Sequence, residues 1–190
     1  MKRKLCRLGL ASLLLTGCAA STTERLRLPP LATVASVDLS KYVGTWYEIA
    51  SFPQSFQKGC TGTQAMYTAR PDGEIDVRNR CWKDRLDGEE KTAEGRARVV
   101  DKATNAKLEV SFFRPFWGDY WIIQLAPDYA YAVVGHPGRD YLWILSRAPQ
   151  MDAAIYDGIL ARLKEQGYET FRLQKTLQRA AVAPPSPPAP

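Results

Sequence analysis

From residue 44 to residue 147 apolar and polar positions alternate in short runs, the period-two pattern of strands buried on one face. Eight runs can be drawn, at 44–52, 61–69, 74–82, 91–101, 107–113, 119–125, 129–135 and 141–147. Each is closed by turn chemistry. Pro53 stops the first, and Arg70-Pro71-Asp72-Gly73 offers Pro and Gly where a tight turn needs a fixed and then a positive φ. The charged stretch Lys83-Asp84-Arg85-Leu86-Asp87-Gly88, the segment 102–106, the break Arg114-Pro115-Phe116-Trp117-Gly118 and Pro137-Gly138 separate others. No connection is long enough for a crossover, so the runs are expected to pair as sequential hairpins and close into an up-and-down barrel, wide enough for one small ligand. A lipid-spanning barrel is argued against by the run 91–101, which carries Glu94, Arg96 and Arg98 on one face and Lys91 and Asp101 on the other. After Pro149 the period lengthens. Asp152 can cap a helix reaching about Gln166, with Ile155, Ile159, Leu160 and Leu163 on one face and Gly167 as its stop. A short strand is expected at 171–175. The fold class is thus all-β: an eight-stranded antiparallel up-and-down barrel, with one C-terminal helix laid on its outside.

Three blocks inside this pattern carry a resemblance. KYVGTWYEIASFP (41–53) is followed by Pro127-Asp128-Tyr129 and then by DYLWILSRAP (140–149). In that order they resemble the three short signature regions of the lipocalin family. Together with VSFFRPFWGDYWII (110–123), they are similar to its bacterial and apolipoprotein D-like members. The resemblance covers about residues 38–177. It implies that Gly44, Trp46, Asp128, Tyr129 and Arg147 mark the fold. It also implies that Arg147 lies across the face of Trp46 at the closed end, a cation–π contact of about 0.5–2 kcal/mol.

Alternation then assigns an interior. Trp46, Glu48, Ala50 and Phe52 share one parity, as do Tyr141, Trp143 and Arg147. The same count turns Leu108, Val110 and Phe112, Tyr120 and Ile122, and Tyr131 and Val133 inward. Phe52, Phe112, Tyr120, Tyr131, Tyr141 and Trp143 are therefore the candidate ligand-binding residues. They form an apolar cup whose few polar groups suit the head of an amphiphile with one or two alkyl chains. The alternative is that these aromatics fill the barrel. A one-residue slip or bulge would reverse any strand's set.

Residues 1–17 join a basic start (Lys2, Arg3, Lys4, Arg7) to the apolar stretch 8–15, too short to span a bilayer and shaped like an export signal. Leu15-Thr16-Gly17-Cys18 followed by Ala19-Ala20 resembles the bacterial lipobox, in which Cys18 becomes the lipidated first residue; a plain export signal cleaved after Ala20 is the alternative. Such lipoproteins carry three acyl chains, and at about 0.8 kcal/mol per buried CH₂ these anchor permanently. Ala19 in place of Asp implies the outer membrane of a Gram-negative bacterium, facing the periplasm. Residues 18–37 read as the lipidated start and a tether able to reach roughly 60 Å when extended. The lipocalin domain is drawn at 38–177, and 178–190 as a Pro-rich disordered tail.

This organisation changes the meaning of the charge. The formal +6 falls once the four signal cations leave, with 22 basic residues against 20 acidic ones, and no basic patch remains for nucleic acid. It also settles the cysteines. With Cys6 in the signal and Cys18 lipidated, Cys60 and Cys81 remain in an oxidising compartment, where one disulfide closing a loop of about 20 residues would contribute roughly 3 kcal/mol. Free thiols and metal chemistry are the alternatives, but His136 is the chain's single His, and neither a metal nor a cofactor is expected.

The function that follows is binding of a fatty acid or lysophospholipid for lipid storage or transport in the envelope. Catalysis is not expected: the chain has no G-x-S-x-G and no Cys–His pair with an orienting acid, and His136 falls in a turn before Pro137. The rivals are an envelope interaction protein acting through the Pro-rich tail or the aromatic stretch 112–117, and an isomerase- or haem-binding-type lipocalin. The partners are the amphiphile and the outer membrane through the lipid anchor, with a homodimer left open.

Overall fold

The computed structural model describes residues 28–180. The signal stretch, Cys18 and the proline-rich end fall outside them. In chain order the elements are α1 (Leu39–Tyr42), β1 (Gly44–Ser51), β2 (Cys60–Ala69), β3 (Ile75–Lys83), β4 (Glu90–Val99), β5 (Lys107–Phe113), β6 (Phe116–Leu125), β7 (Tyr131–Gly135), β8 (Leu142–Ser146), α2 (Ala153–Glu165) and β9 (Gln174–Lys175), with 3₁₀ turns at Ser55–Gln57 and Thr170–Arg172. From β1 to β8 each strand pairs antiparallel with the next, and β8 returns to β1, so the sheet closes. This is the up-and-down barrel of eight strands, with α2 outside it. β6 starts at Phe116, earlier than the pattern indicates, because Arg114 and Pro115 alone make the turn. The helical turn α1 has too few residues to show a period.

The turns β2–β3, β4–β5 and β6–β7 lie at the closed end; those joining β1–β2, β3–β4, β5–β6 and β7–β8 lie at the mouth. Inside, Trp46, Tyr67, Ile75, Val77, Ala97, Leu108, Ile122, Ala132, Val134 and Leu145 form one apolar core, floored by Val37 and Tyr42. Residues ahead of α1 cross this floor: Val34 N–H donates to the Ile122 carbonyl and Val37 N–H to that of Thr104. A second core lies outside, where Ile159 and Leu163 of α2 press on Ile49, Phe52, Ile123, Val133 and Ile144. Asp152 caps α2 by accepting from the Ala154 and Ile155 amides, and Gly167 leaves it at φ +80°. Ile155, counted in the apolar stripe, faces solvent instead. At Gly135 a Cβ would collide with the Tyr168 hydroxyl, so its absence lets the chain after α2 settle on β7.

Candidate functional site

The three signature blocks meet at the closed end. Gly44 takes φ +96°, which an L side chain resists, and thereby turns the chain from α1 into β1. The Arg147 guanidinium lies 3.7 Å from the Trp46 ring centre and donates to the carbonyls of Lys41, Tyr42, Val43 and Thr45. Its burial lowers its pKa, an effect opposed by the neighbouring Tyr42, Tyr67 and Tyr120. The Tyr129 hydroxyl accepts from the Asp38 amide, and the Asp128 carboxylate accepts from the Ala130 amide. These contacts floor the barrel and contain no open site.

Of the residues expected in the cup, the structure brings some together and separates others. Trp143 and Tyr141 stack at 5.9 Å near the mouth, Trp143 against the inner core. Phe112 shares the strand parity of Leu108 and Val110 and lies over Gly95, half exposed. Tyr120 is inside but deep: its hydroxyl is shared between those of Tyr42 at 2.8 Å and Tyr67 at 3.0 Å, which leaves it closing the floor. Phe52 and Tyr131 do not face inward. Both lie on the outer wall beneath α2. In β1 a bulge between Glu48 and Ala50 places Ile49 and Ala50 on the same side, and every later residue turns over. In β7 both faces are buried, so Tyr-Ala-Val-Val-Gly gives no cue, and Ala132 and Val134 are the inward pair in place of Tyr131 and Val133.

The polar groups of the upper cup are ones that the aromatic pattern does not reveal. Glu48, only 5% exposed, accepts from Gln57 Nε2 at 2.8 Å and from the hydroxyls of Ser51 and Thr176. Gln57 Oε1 in turn accepts from the Trp143 indole at 3.1 Å. Gln57 sits in the β1–β2 loop, where no strand parity reaches. Asn79, two residues beyond Val77 and opposite Ala65 and Ala93, shares the inner face, and its buried Oδ1 has no partner. A polar residue at an inward strand position is the signal that could have found it. Around it the wall is thin, since the middle of β4 offers Ala93, Gly95 and Ala97 to that face. Beside the mouth, a cleft of about 510 Å³ opens between the β1–β2 loop and the C-terminal segment, lined among others by Glu48, Gln57 and Thr63. Cys60 and Cys81 are joined by a disulfide across the mouth ends of β2 and β3. His136 lies in its turn, its Nδ1 accepting from the Gly138 amide and its Nε2 3.6 Å from Asp119. Among the described residues no group of His, Cys, Asp and Glu could hold a metal ion.

A closed eight-stranded barrel with a Trp–Arg floor and one outer helix is a calyx-type fold. The chain belongs to the lipocalin family: residues 37–178 match the lipocalin-like domain. It is 40% identical over 165 residues to the outer membrane lipoprotein Blc of Vibrio cholerae, covering 86% of this chain and 92% of that one. It is 41% identical over 157 residues to temperature-induced lipocalin-1 of Arabidopsis thaliana, covering 78% of this chain and 83% of the relative. Insecticyanin from the tobacco hornworm Manduca sexta shares the fold, with a TM-score of 0.64 at 23% identity over 81% of this chain and 87% of that structure. Among the described residues no helix is long and apolar enough to cross a membrane.

Proposed function

We propose that this lipocalin is a lipid-anchored carrier of the bacterial outer membrane, whose cup takes a single-chain amphiphile, a fatty acid or a lysophospholipid, for storage or transport in the envelope. The observation that carries this reading is the division of the inner wall. Aliphatic side chains and rings whose hydroxyls are bonded to one another line its depth, while Trp143, Gln57 and Glu48 gather polar groups toward the mouth and Asn79 adds one midway along β3. An alkyl chain would lie against the first set, and a head group would exchange hydrogen bonds with the second. Cys18, expected to carry the anchor, would hold the mouth within a tether's length of the lipid source. Phe112 and Tyr141 remain proposed wall residues near the opening; Phe52 and Tyr131, beneath α2, are not.

Native mass spectrometry of residues 28–180 purified from a Gram-negative host, followed by organic extraction, tests this. Adducts of fatty-acid or lysolipid mass are expected. Trp143→Ala, which removes an aromatic wall and the partner of Gln57, should weaken rebinding of the extracted lipid by about tenfold or more while the barrel stays folded. A bare protein mass together with no uptake of added lipid would end the carrier reading.

A further inference from the structure

The chain has six phenylalanines, and only Phe52 is buried. The others are Phe56 at 68% exposure, Phe112 at 44%, Phe113 at 75%, Phe116 at 70% and Phe171 at 83%. All five stand at the mouth end. Phe56 is in the 3₁₀ turn between β1 and β2, and Phe112, Phe113 and Phe116 flank the β5–β6 turn, where Phe113 and Phe116 stack at 6.3 Å. Phe171 is in the turn leading to β9, which pairs with Ala50 and Ser51 at the mouth end of β1. Among the described residues, the exposed large hydrophobic residues toward the closed end are Val100 and Met66, which is opposite Thr45, and neither is aromatic. Water alone gives no reason to place five phenyl rings on one end of a barrel.

We propose that the mouth end docks on a phospholipid bilayer surface, with these phenylalanines as its wedge. The charge pattern favours an anionic lipid face. Each aromatic tip has a cation within two positions, Lys58 beside Phe56, Arg114 beside Phe113 and Arg172 beside Phe171, and the stretches 52–58 and 111–118 contain no acidic residue, although Arg114 also faces Glu74 at 3.6 Å and Arg172 is paired with Glu169. Arg114, with a side chain 63% exposed, lies 6.0 Å from the Trp117 ring just behind the stacked pair. Rings foremost with a guanidinium and an indole behind them suit the boundary between acyl chains and headgroups. The rings stand on separate loops around an opening, whereas a protein partner is met by one continuous patch. The β3–β4 loop, 84–89, carries Asp84, Asp87 and Glu89 against Arg85 and no aromatic residue, so the docked barrel tilts that side away. Docking is separate from lipid carriage, since a rim can engage a bilayer whether the cup is filled or empty.

The test uses the full chain with Cys18→Ser, which cannot be lipidated, and vesicles of phosphatidylethanolamine containing a minority of phosphatidylglycerol. Any contribution of the N-terminal stretch is common to parent and variants. Phe113→Ser with Phe116→Ser should lower the vesicle partition coefficient about a hundredfold, and Phe56→Ser alone about tenfold. The bound-lipid masses seen by native mass spectrometry should stay unchanged, which separates the rim from the cup. These positions are exposed, and circular dichroism checks that the sheet is kept. Equal partitioning of the parent and both variants overturns the proposal. So does a concentration-dependent dimer that the double variant dissociates without change in vesicle partitioning, since a second copy of the chain would then be what covers the rim.

Discussion

Arg147 shows how much one side chain can organise. It is stacked on Trp46 and forks into four carbonyls at the α1–β1 junction, sharing that of Tyr42 with the Trp46 indole. A lysine would keep the charge and lose both the flat face and the fork. Arg147→Lys should therefore destabilise the barrel by about 1–2 kcal/mol, and Arg147→Ala by about 2–3 kcal/mol, because the ring contact goes and the part-buried Tyr42 and Val43 carbonyls lose a charged donor. Urea unfolding followed by Trp fluorescence measures this; a loss under half a kilocalorie for the lysine variant would show the fork to be dispensable. The contact was legible in the sequence because strand parity and the signature blocks both point to it. The glutamine at 57 was not, because its position depends on a loop whose path no local pattern encodes.

At the scale of elements, the turns were readable and the faces only partly so. Pro and Gly at 71 and 73 or at 137 and 138 bound strands whatever the rest of the fold does. Bulges are silent in sequence, and one extra residue at Glu48–Ala50 reverses Phe52, while another between Ile122 and Gln124 sends both Ile123 and Gln124 toward α2. The C-terminal segment was equally hidden. β1 and β2 pair only as far as Tyr47 and Gln64, and beyond that point residues 174–179 bridge them. Thr176 N–H donates to the Ile49 carbonyl, and the Leu177 carbonyl accepts from the Gly62 amide. Gln178, grouped with the tail by composition, donates from its amide to the carbonyls of both Glu48 and Thr63, each at 2.8 Å. Arg179 follows, stacked on Trp82 at 4.4 Å. The segment thus closes a seam in the wall. Gln178→Ala should cost about 1–3 kcal/mol. Amide exchange at Gly62 and Thr176 should accelerate while that of β7 is unchanged; equal exchange at all three sites would mean the seam holds without it.

The two ends of the whole molecule are built for different work. The mouth has polar groups bonded through Gln57 and rings that are exposed to solvent. The closed end is sealed by three tyrosines whose hydroxyls bond only to one another, with Tyr120 between Tyr42 and Tyr67. Burial pushes the Tyr67 phenol up to about 12 and raises those of Tyr42 and Tyr120 well above their ordinary value of 10.0. Below pH 10 all three are neutral in both folded and unfolded chains, so they contribute no pH dependence. As pH rises past 10.0, the unfolded chain loses these protons while the folded one keeps them, and stability falls until the folded pKa values are passed. Tyr67 alone accounts for about 2 kcal/mol of that loss by pH 12. Denaturant midpoints should therefore be flat from pH 8 to 9.5 and decline steeply above pH 10. Tyr67→Phe should start about 1 kcal/mol lower, having lost a buried hydrogen bond, and decline less steeply. An amphiphile whose head stays at the mouth should raise the whole curve without changing its slope, because it touches none of the three hydroxyls. A ligand that flattened the decline would have its head group at the floor, and the polarity proposed for the cup would have to be inverted.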